Sequence, residues 1–271
     1  MKSIIIFNPK KENANKFLSK LKISLKENNI DFFVVDGKEV SKKDFINIDF
    51  IITVGGDGTI INIASKVANL NIPILGINTG HMGFLTQIDK IKDIDKAIEQ
   101  IKSTKFLLDK RSMLEASVYR KGKLLLKDVA LNDIYLSKAG IKKISRYTIY
   151  LDNKLFNTYS SDGMIVATPT GSTAYNLSAG GSIIEPNAKV IALTPICVLA
   201  FNQRGFIIED NKIITIITNS DDNLIVYDGK NSLFLLSDDK IIIKKSKSKL
   251  NFIKLKDDIF INNLRNKMKS I

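Results

Sequence analysis

Two glycine-rich passages hold the residue types that can do chemistry on a phosphate. In the first, Ile51-Ile52-Thr53-Val54 runs directly into Gly55-Gly56-Asp57-Gly58-Thr59, and helical spacing follows. A strand, a tight turn and a helix in that order aim backbone N–H groups and the positive end of a helix dipole at the carboxyl edge of a sheet, where an anion binds. Glycines there let a ligand reach the backbone without a Cβ in the way. Asp57 is the odd member, because a carboxylate repels phosphate. It makes sense where it takes a proton from an attacking hydroxyl or holds Mg²⁺ beside the phosphates. The plainer alternative is a turn-forming Asp that bonds its own backbone. Two commoner nucleotide loops are excluded: Ile61 stands where GxGxxG needs its last glycine, and no GxxxxGK[ST] occurs.

The second passage runs from Ser160 to Ser182. A short run, Met164–Ala167, ends in Thr168-Pro169-Thr170-Gly171-Ser172-Thr173, a series of hydroxyls and amides able to satisfy the edges of a base or a ribose. Tyr175 can stack on a ring. The same residues read equally well as a polar turn region capped by glycines. A serine hydrolase is disfavoured, since neither Ser172 nor Ser182 sits in GxSxG and His81 lies far upstream. Asn132-Asp133 places an amide beside a carboxylate able to accept both hydroxyls of a ribose, although an Asn-Asp pair by itself is usually a turn. Ile77–Leu85 is another strand ending in a glycine-rich loop, in which His81 reads as a loop-stabilising side chain.

The elements that must position these residues come in two textures. Over the first hundred residues, apolar runs at 2–7, 30–35, 50–54 and 72–77 alternate with helical spacing at 13–28 and 60–70. Strands separated by helices imply right-handed crossovers and a parallel sheet. From about Phe106 short β-rich runs take over, at 114–119, 123–136, 146–151, 164–167, 190–193, 213–218, 224–227, 233–236 and 240–243, which predicts an antiparallel sandwich or barrel. Helical spacing returns over 257–268, and periodicity alone leaves open which part that helix packs on.

Composition narrows the function classes. The chain has 271 residues, 44% hydrophobic and 25% charged, the profile of a packed globular protein. One cysteine, Cys197, and one histidine exclude an intrachain disulfide and a multi-histidine metal centre. The longest apolar stretch, 190–201, is interrupted by Thr194-Pro195 and is too short to span a bilayer. The run Ile4–Phe7 is too short for a signal-peptide core, so a cytoplasmic protein is expected. Of the net charge of +13, +8 lies in residues 240–271, where ten basic residues face two acids. The run Lys244-Lys245-Ser246-Lys247-Ser248-Lys249 has no aromatic among its lysines and reads as a solvated face rather than a base-stacking platform.

In chain order, these passages resemble the NAD kinase family over essentially the whole chain. The match comprises the GGDGT loop, Asn78-Thr79-Gly80-His81-Met82-Gly83-Phe84-Leu85 (the family's NTGHLGFL), Arg111-Ser112-Met113-Leu114-Glu115, the Asn132-Asp133 pair, and Asp162-Gly163 followed by Thr168-Pro169-Thr170-Gly171-Ser172-Thr173-Ala174-Tyr175. GGDGT alone is shared with diacylglycerol-kinase-like lipid kinases, whereas TPTGSTAY with the upstream Asn-acid pair is highly specific.

The resemblance implies an α/β domain with a parallel sheet over 1–104, an all-β, sandwich-like NAD-binding domain over 105–252, and residues 253–271 packing back on the first. It implies transfer of the γ-phosphoryl of ATP, or of polyphosphate, to the 2′-hydroxyl of the adenosine ribose of NAD, giving NADP. Carried over, Asp57 is the catalytic acid/base and Gly58 lies against NAD. Asn132 and Asp133 hold the ribose or the nicotinamide end, and Asp162 shares their pocket. Thr173, Ala174, Tyr175, Asn176, Leu177 and Ser178 form a wall, with Phe84, Lys143, Ser160, Thr170 and Lys230 as further contacts. A divalent cation (Mg) is expected with the nucleotide. Partners are expected to be NAD and ATP, with no nucleic acid and no membrane, in a homodimer or homotetramer. Ser160 replaces a common Arg or Lys, Lys230 a common Gln, and Asp133 is often Glu; Val-Leu follows Cys197 where Pro-His is usual. Rival readings are a lipid kinase sharing the glycine loop, a nucleic-acid-binding protein using residues 240–271, and a non-catalytic NAD sensor, which the presence of Asp57 argues against.

Overall fold

A computed structural model describes residues 1–11, 13–80, 83–140, 144–200, 204–255 and 259–269. The chain divides into two compact units, 1–111 with 249–271, and 112–248. The first is α/β and the second all-β, so the expected fold class holds.

In the first unit the strands β1 (Lys2–Phe7), β2 (Asp31–Asp36), β3 (Phe50–Gly55) and β4 (Ile74–Asn78) form a parallel sheet in the order β2-β1-β3-β4. Parallel neighbours need crossovers, which the helices α1 (Ala14–Glu27), α2 (Asp57–Val67) and α3 (Ile94–Lys102) supply. Phe17, Leu18, Leu21 and Leu25 of α1 recur at helical spacing and are buried, while Ile23, off that stripe, is exposed. Helix α2 begins three residues earlier than its apolar spacing predicts, because Gly56 and Asp57 provide its polar first turn. That places Asp57 at the helix start and turns Ile60, Ile63, Ala64 and Val67 into the core. Helix α3 was not anticipated from the sequence; Ile94, Ala97, Ile98 and Ile101 are its buried face. The C-terminal helix α4 (Ile259–Lys269) belongs to this unit, so the last segment returns to the α/β part as expected. Phe252 of the strand that precedes it pairs in parallel with Ile74.

In the second unit one sheet has the order β12-β11-β10-β7-β14-β15: β7 is Asp133–Lys138, β10 Gly163–Ala167, β11 Val190–Ile196, β12 Phe206–Glu209, β14 Asn223–Tyr227 and β15 Asn231–Leu235. The facing strands are β5 (Leu107–Arg120), β6 (Lys123–Ala130), β8 (Ser145–Leu151), β9 (Lys154–Ser161), β13 (Ile214–Thr218) and β16 (Lys240–Lys254). Their inward residues share one core, with Leu114, Ile149, Tyr159 and Ile216 meeting Ile134, Val166, Leu193 and Tyr227. That is a sandwich. The predicted single run 123–136 is two strands broken at Leu131-Asn132, and β9 and β12 were not anticipated. The basic stretch of β16 is partly neutralised within its unit, since Lys244 faces Glu115 at 3.5 Å and Lys245 pairs with Asp210.

Candidate active site

Three loops leave the carboxyl ends of β1, β3 and β4 at one edge of the parallel sheet. Backbone bonds tie them together: Asn8 N–H donates to Val54 (3.1 Å) and Thr79 N–H to Gly55 (2.9 Å). They enclose a cleft of about 320 Å³ lined by Asn8, Lys11, the glycine loop, Asn78 and Gly83. Edges of this kind collect ligands in open α/β sheets. The N-cap Gly56 offers no side chain to the first turn of α2, whose residues Asp57, Gly58 and Thr59 line the cleft.

Asp57 is half-buried and does not bond its own turn. Its carboxylate reaches across the loop pair, accepting the N–H of Phe84 at 2.7 Å and of Leu85 at 3.1 Å. A carboxylate has about four acceptor sites, so two such bonds fix its orientation and leave capacity towards the cleft. Gly83 permits this approach, since a Cβ there would lie 2.0 Å from Asp57 Oδ1. Helix α4 holds the same segment from behind. Asn263 Nδ2 donates to the Gly83 carbonyl at 2.7 Å, and the Phe260 and Phe84 rings lie 5.8 Å apart. Gly58 is exposed beside Asp57.

In the β unit the Asn132-Asp133 pair sits where β6 breaks into β7, and both residues are buried. The break is held by Asp228, which the sequence reading missed. Placed at positive φ (49°) just after β14, its carboxylate accepts the N–H groups of Leu131 (2.7 Å), Asn132 (2.7 Å) and Asp133 (3.2 Å). The available signal was Asp228-Gly229 ending an apolar run, a common turn pair. Thr168 and Gly171 close over the other side. Thr168 N–H donates to the Asn132 carbonyl at 2.8 Å, and its hydroxyl to Leu131 at 2.6 Å. Gly171 lies so close that a Cβ would meet the Asn132 oxygen at 2.0 Å.

Burial and the neighbouring Asp228 carboxylate push the Asp133 carboxyl up to about 7. Burial raises Asp228 too, against the opposing pull of its three amide donors and Lys230. The Tyr135 and Tyr175 rings pack edge-to-face at 4.9 Å, and burial together with the Asp133 charge raises both phenols. Since folded Asp133 keeps a proton that the unfolded chain releases, stability falls as pH rises from about 4 to 7. We expect Asp133→Asn to remove that slope, gaining several degrees of Tm over the wild type at pH 8 and little at pH 4.5. Thermal melts across pH check this; parallel curves would contradict it.

The wall residues divide. Tyr175 (39% exposed), Leu177 and Ser178 are open, and Thr173 and Ala174 are half-buried. Asn176 faces inward: fully buried, it donates to Ser172 and Ser182 and accepts from Thr194, so its amide braces the loop instead of facing a ligand. Tyr175 and Ser178 border a cavity of about 620 Å³ with Thr194, Cys197 and Arg204, the last not foreseen as a site residue. Asp162 stands apart from the Asn132-Asp133 pair along β10. The β7–β10 register pairs Ala167 with Asp133 and Gly163 with Ser137, so Asp162 lies at the opposite end of β10, roughly 15 Å along the strand from Asp133. There it ion-pairs with Lys138 at 2.6 Å. Ser160 pairs in register with Arg146, Thr170 is buried, and Lys230 is exposed beyond the Asp228 turn. His81 and Lys143 lie outside the described residues.

Residues 38–106 match the ATP-NAD kinase N-terminal domain, and residues 131–255 match the ATP-NAD kinase C-terminal domain. An NAD kinase of Caldicellulosiruptor saccharolyticus is 37% identical over 265 residues, covering 98% of both chains. One from Ruminiclostridium cellulolyticum is 40% identical over 225 residues, 82% of this chain and 78% of that one. Among solved structures, an Archaeoglobus fulgidus NAD kinase in complex with ATP superposes with a TM-score of 0.81 at 26% identity, covering 100% of each chain. A yeast NADH kinase complexed with NADH shares the fold, with a TM-score of 0.88 at 24% identity over 99% of this chain and 87% of that one. The chain belongs to the NAD kinase family.

Proposed function

We propose that this protein is an NAD kinase, transferring the γ-phosphoryl of ATP to the 2′-hydroxyl of the adenosine ribose of NAD to give NADP and ADP. The observation that carries the reading is the Asp57 carboxylate, held among glycine-loop amides by the Phe84 and Leu85 N–H groups. The 2′-oxygen attacks phosphorus, the bond to the bridging oxygen breaks with its electron pair leaving on ADP, and the hydroxyl proton passes to Asp57. The amides at the start of α2 steady the phosphate charge. Asn132 and Asp133 hold the ribose hydroxyls, and Tyr175 with its neighbours from Thr173 to Ser178 flanks the dinucleotide. Asn176 serves that wall indirectly, through the loop it braces.

Among the described residues no three His, Cys, Asp or Glu side chains gather to hold a metal. A lone carboxylate at the loop fits a divalent cation (Mg) that arrives with the nucleotide and would screen its phosphate oxygens. Among the described residues no helix is long and apolar enough to cross a membrane. We place the reaction in the cytoplasm, in a homodimer or homotetramer.

Purified protein given NAD, ATP and Mg²⁺ is expected to form NADP at on the order of 1–100 per second, followed with an NADP-specific dehydrogenase. Replacing ATP by polyphosphate identifies the donor. Absence of NADP with both donors, or phosphorylation of diacylglycerol in micelles instead, would contradict the reading.

A further inference from the structure

The glycine-loop cleft poses an electrostatic problem that its own loop does not solve. A polyphosphate approaching Gly55–Thr59 meets the first-turn amides of α2, but it also meets the negative charge of Asp57. A cation in the same cleft is the compensation such sites use. Two lysines line it. Lys11 follows the turn after β1, where Lys11 N–H donates to the Asn8 carbonyl at 3.2 Å. Lys267 comes from α4, and its Nζ sits 4.4 Å from the centroid of the Phe84 ring.

We propose that Lys267 belongs to the phosphate-binding machinery, gripping the polyphosphate of the donor at the glycine loop with Lys11 as a second cation. The placement of Lys267 is built rather than incidental. Asn263, one turn earlier on the same helix, holds the Gly83 carbonyl. Phe260, another turn back, packs on Phe84, whose N–H orients Asp57. One helix therefore fixes the loop that aims the carboxylate and delivers the ammonium to the same cleft. The Phe84 ring face favours the cation and directs its flexible stem. Lys267 forms and breaks no bond in the transfer; its charge opposes the charge on the phosphate oxygens. It recognises linked phosphates as such, which ATP and inorganic polyphosphate both present.

This inference rests on the NAD kinase reading for its kinetic part, and the test separates the two. In Lys267→Ala we expect the Kd for inorganic tripolyphosphate, by calorimetry, to weaken at least about tenfold, and the KM for ATP to rise about as much. The KM for NAD is expected to stay within about twofold, Lys267→Arg to recover most of the loss, and Lys269→Ala, on the same helix, to match the wild type. Lys11→Ala should weaken tripolyphosphate by a smaller factor, because that side chain is exposed. If the protein made no NADP, the kinase reading would fall while the tripolyphosphate arm still decided on Lys267. Tripolyphosphate binding unchanged in Lys267→Ala would overturn the proposal. So would an equal rise in the KM for NAD, which marks a merely structural helix, or loss of ATP binding without loss of tripolyphosphate binding.

Discussion

Replacing Asp57 by Asn is expected to cut kcat for NADP formation by ~10² or more while NAD affinity stays within a few-fold. The asymmetry follows from where the carboxylate sits. Both of its oxygens accept backbone N–H groups from a loop 27 and 28 residues further along the chain, so its direction is set before any substrate arrives. Asn keeps one acceptor but turns an NH₂ towards the other amide, costing about 1 kcal/mol for one half-buried bond. Some loss of thermal stability therefore accompanies the loss of rate, and the informative readout is the split between kcat and NAD binding. Asp57→Asn turning over at the wild-type rate would remove the carboxylate from the chemistry.

The second large effect is expected at Asp228, a residue with no chemical role of its own. Asp228→Ala leaves the amides of Leu131, Asn132 and Asp133 without their acceptor, in a turn pressed from the other side by Thr168 and Gly171. Water can reach this half-buried position and recover part of the loss. A net cost of about 3 kcal/mol is the scale for such a group of bonds, and it lowers Tm by at least about 5 °C. The KM for NAD is expected to rise about tenfold, because Asn132 and Asp133 lose their fixed direction. Removing the Asp228 charge also withdraws one of the two causes that hold the Asp133 carboxyl up. Any pH dependence of NAD binding through Asp133 should therefore move to lower pH in this variant. Asp228→Asn, retaining an acceptor, is expected to lie between the two. A Tm and a KM both unchanged in Asp228→Ala would show that the turn holds itself.

The parallel-sheet unit was readable because its signals are local. Isoleucine runs at Ile4–Ile6 and Ile51–Ile52 end in Asn-Pro and Gly-Gly, and α1 repeats its apolar residues cleanly. Helix α3 escaped because it is only nine residues long, so its buried residues Ile94, Ala97, Ile98 and Ile101 cover barely two turns. The split of 123–136 escaped for a different reason. Leu131 and Asn132 look like a continuing strand until Asp228, 97 and 96 residues away, takes their amides. The site shows the same division. The chemistry of Asp57 could be argued from the loop around it, whereas its partners at Phe84 and Leu85 could not. Lys267 has no local signature, and its meaning depends on α4 returning to the first unit. Asp162 stands six residues before Thr168, and an extended strand turns that spacing into distance.

The most direct measurement follows the phosphorus itself. ATP isotopically labelled in its γ-phosphoryl group is incubated with NAD, Mg²⁺ and the protein, and the products are examined by mass spectrometry and phosphorus NMR. The account predicts one new labelled monoester on the 2′-oxygen of the adenosine ribose, formed in step with ADP, and almost none with Asp57→Asn. Label released to water as phosphate, or carried on any other hydroxyl of the dinucleotide, would contradict it.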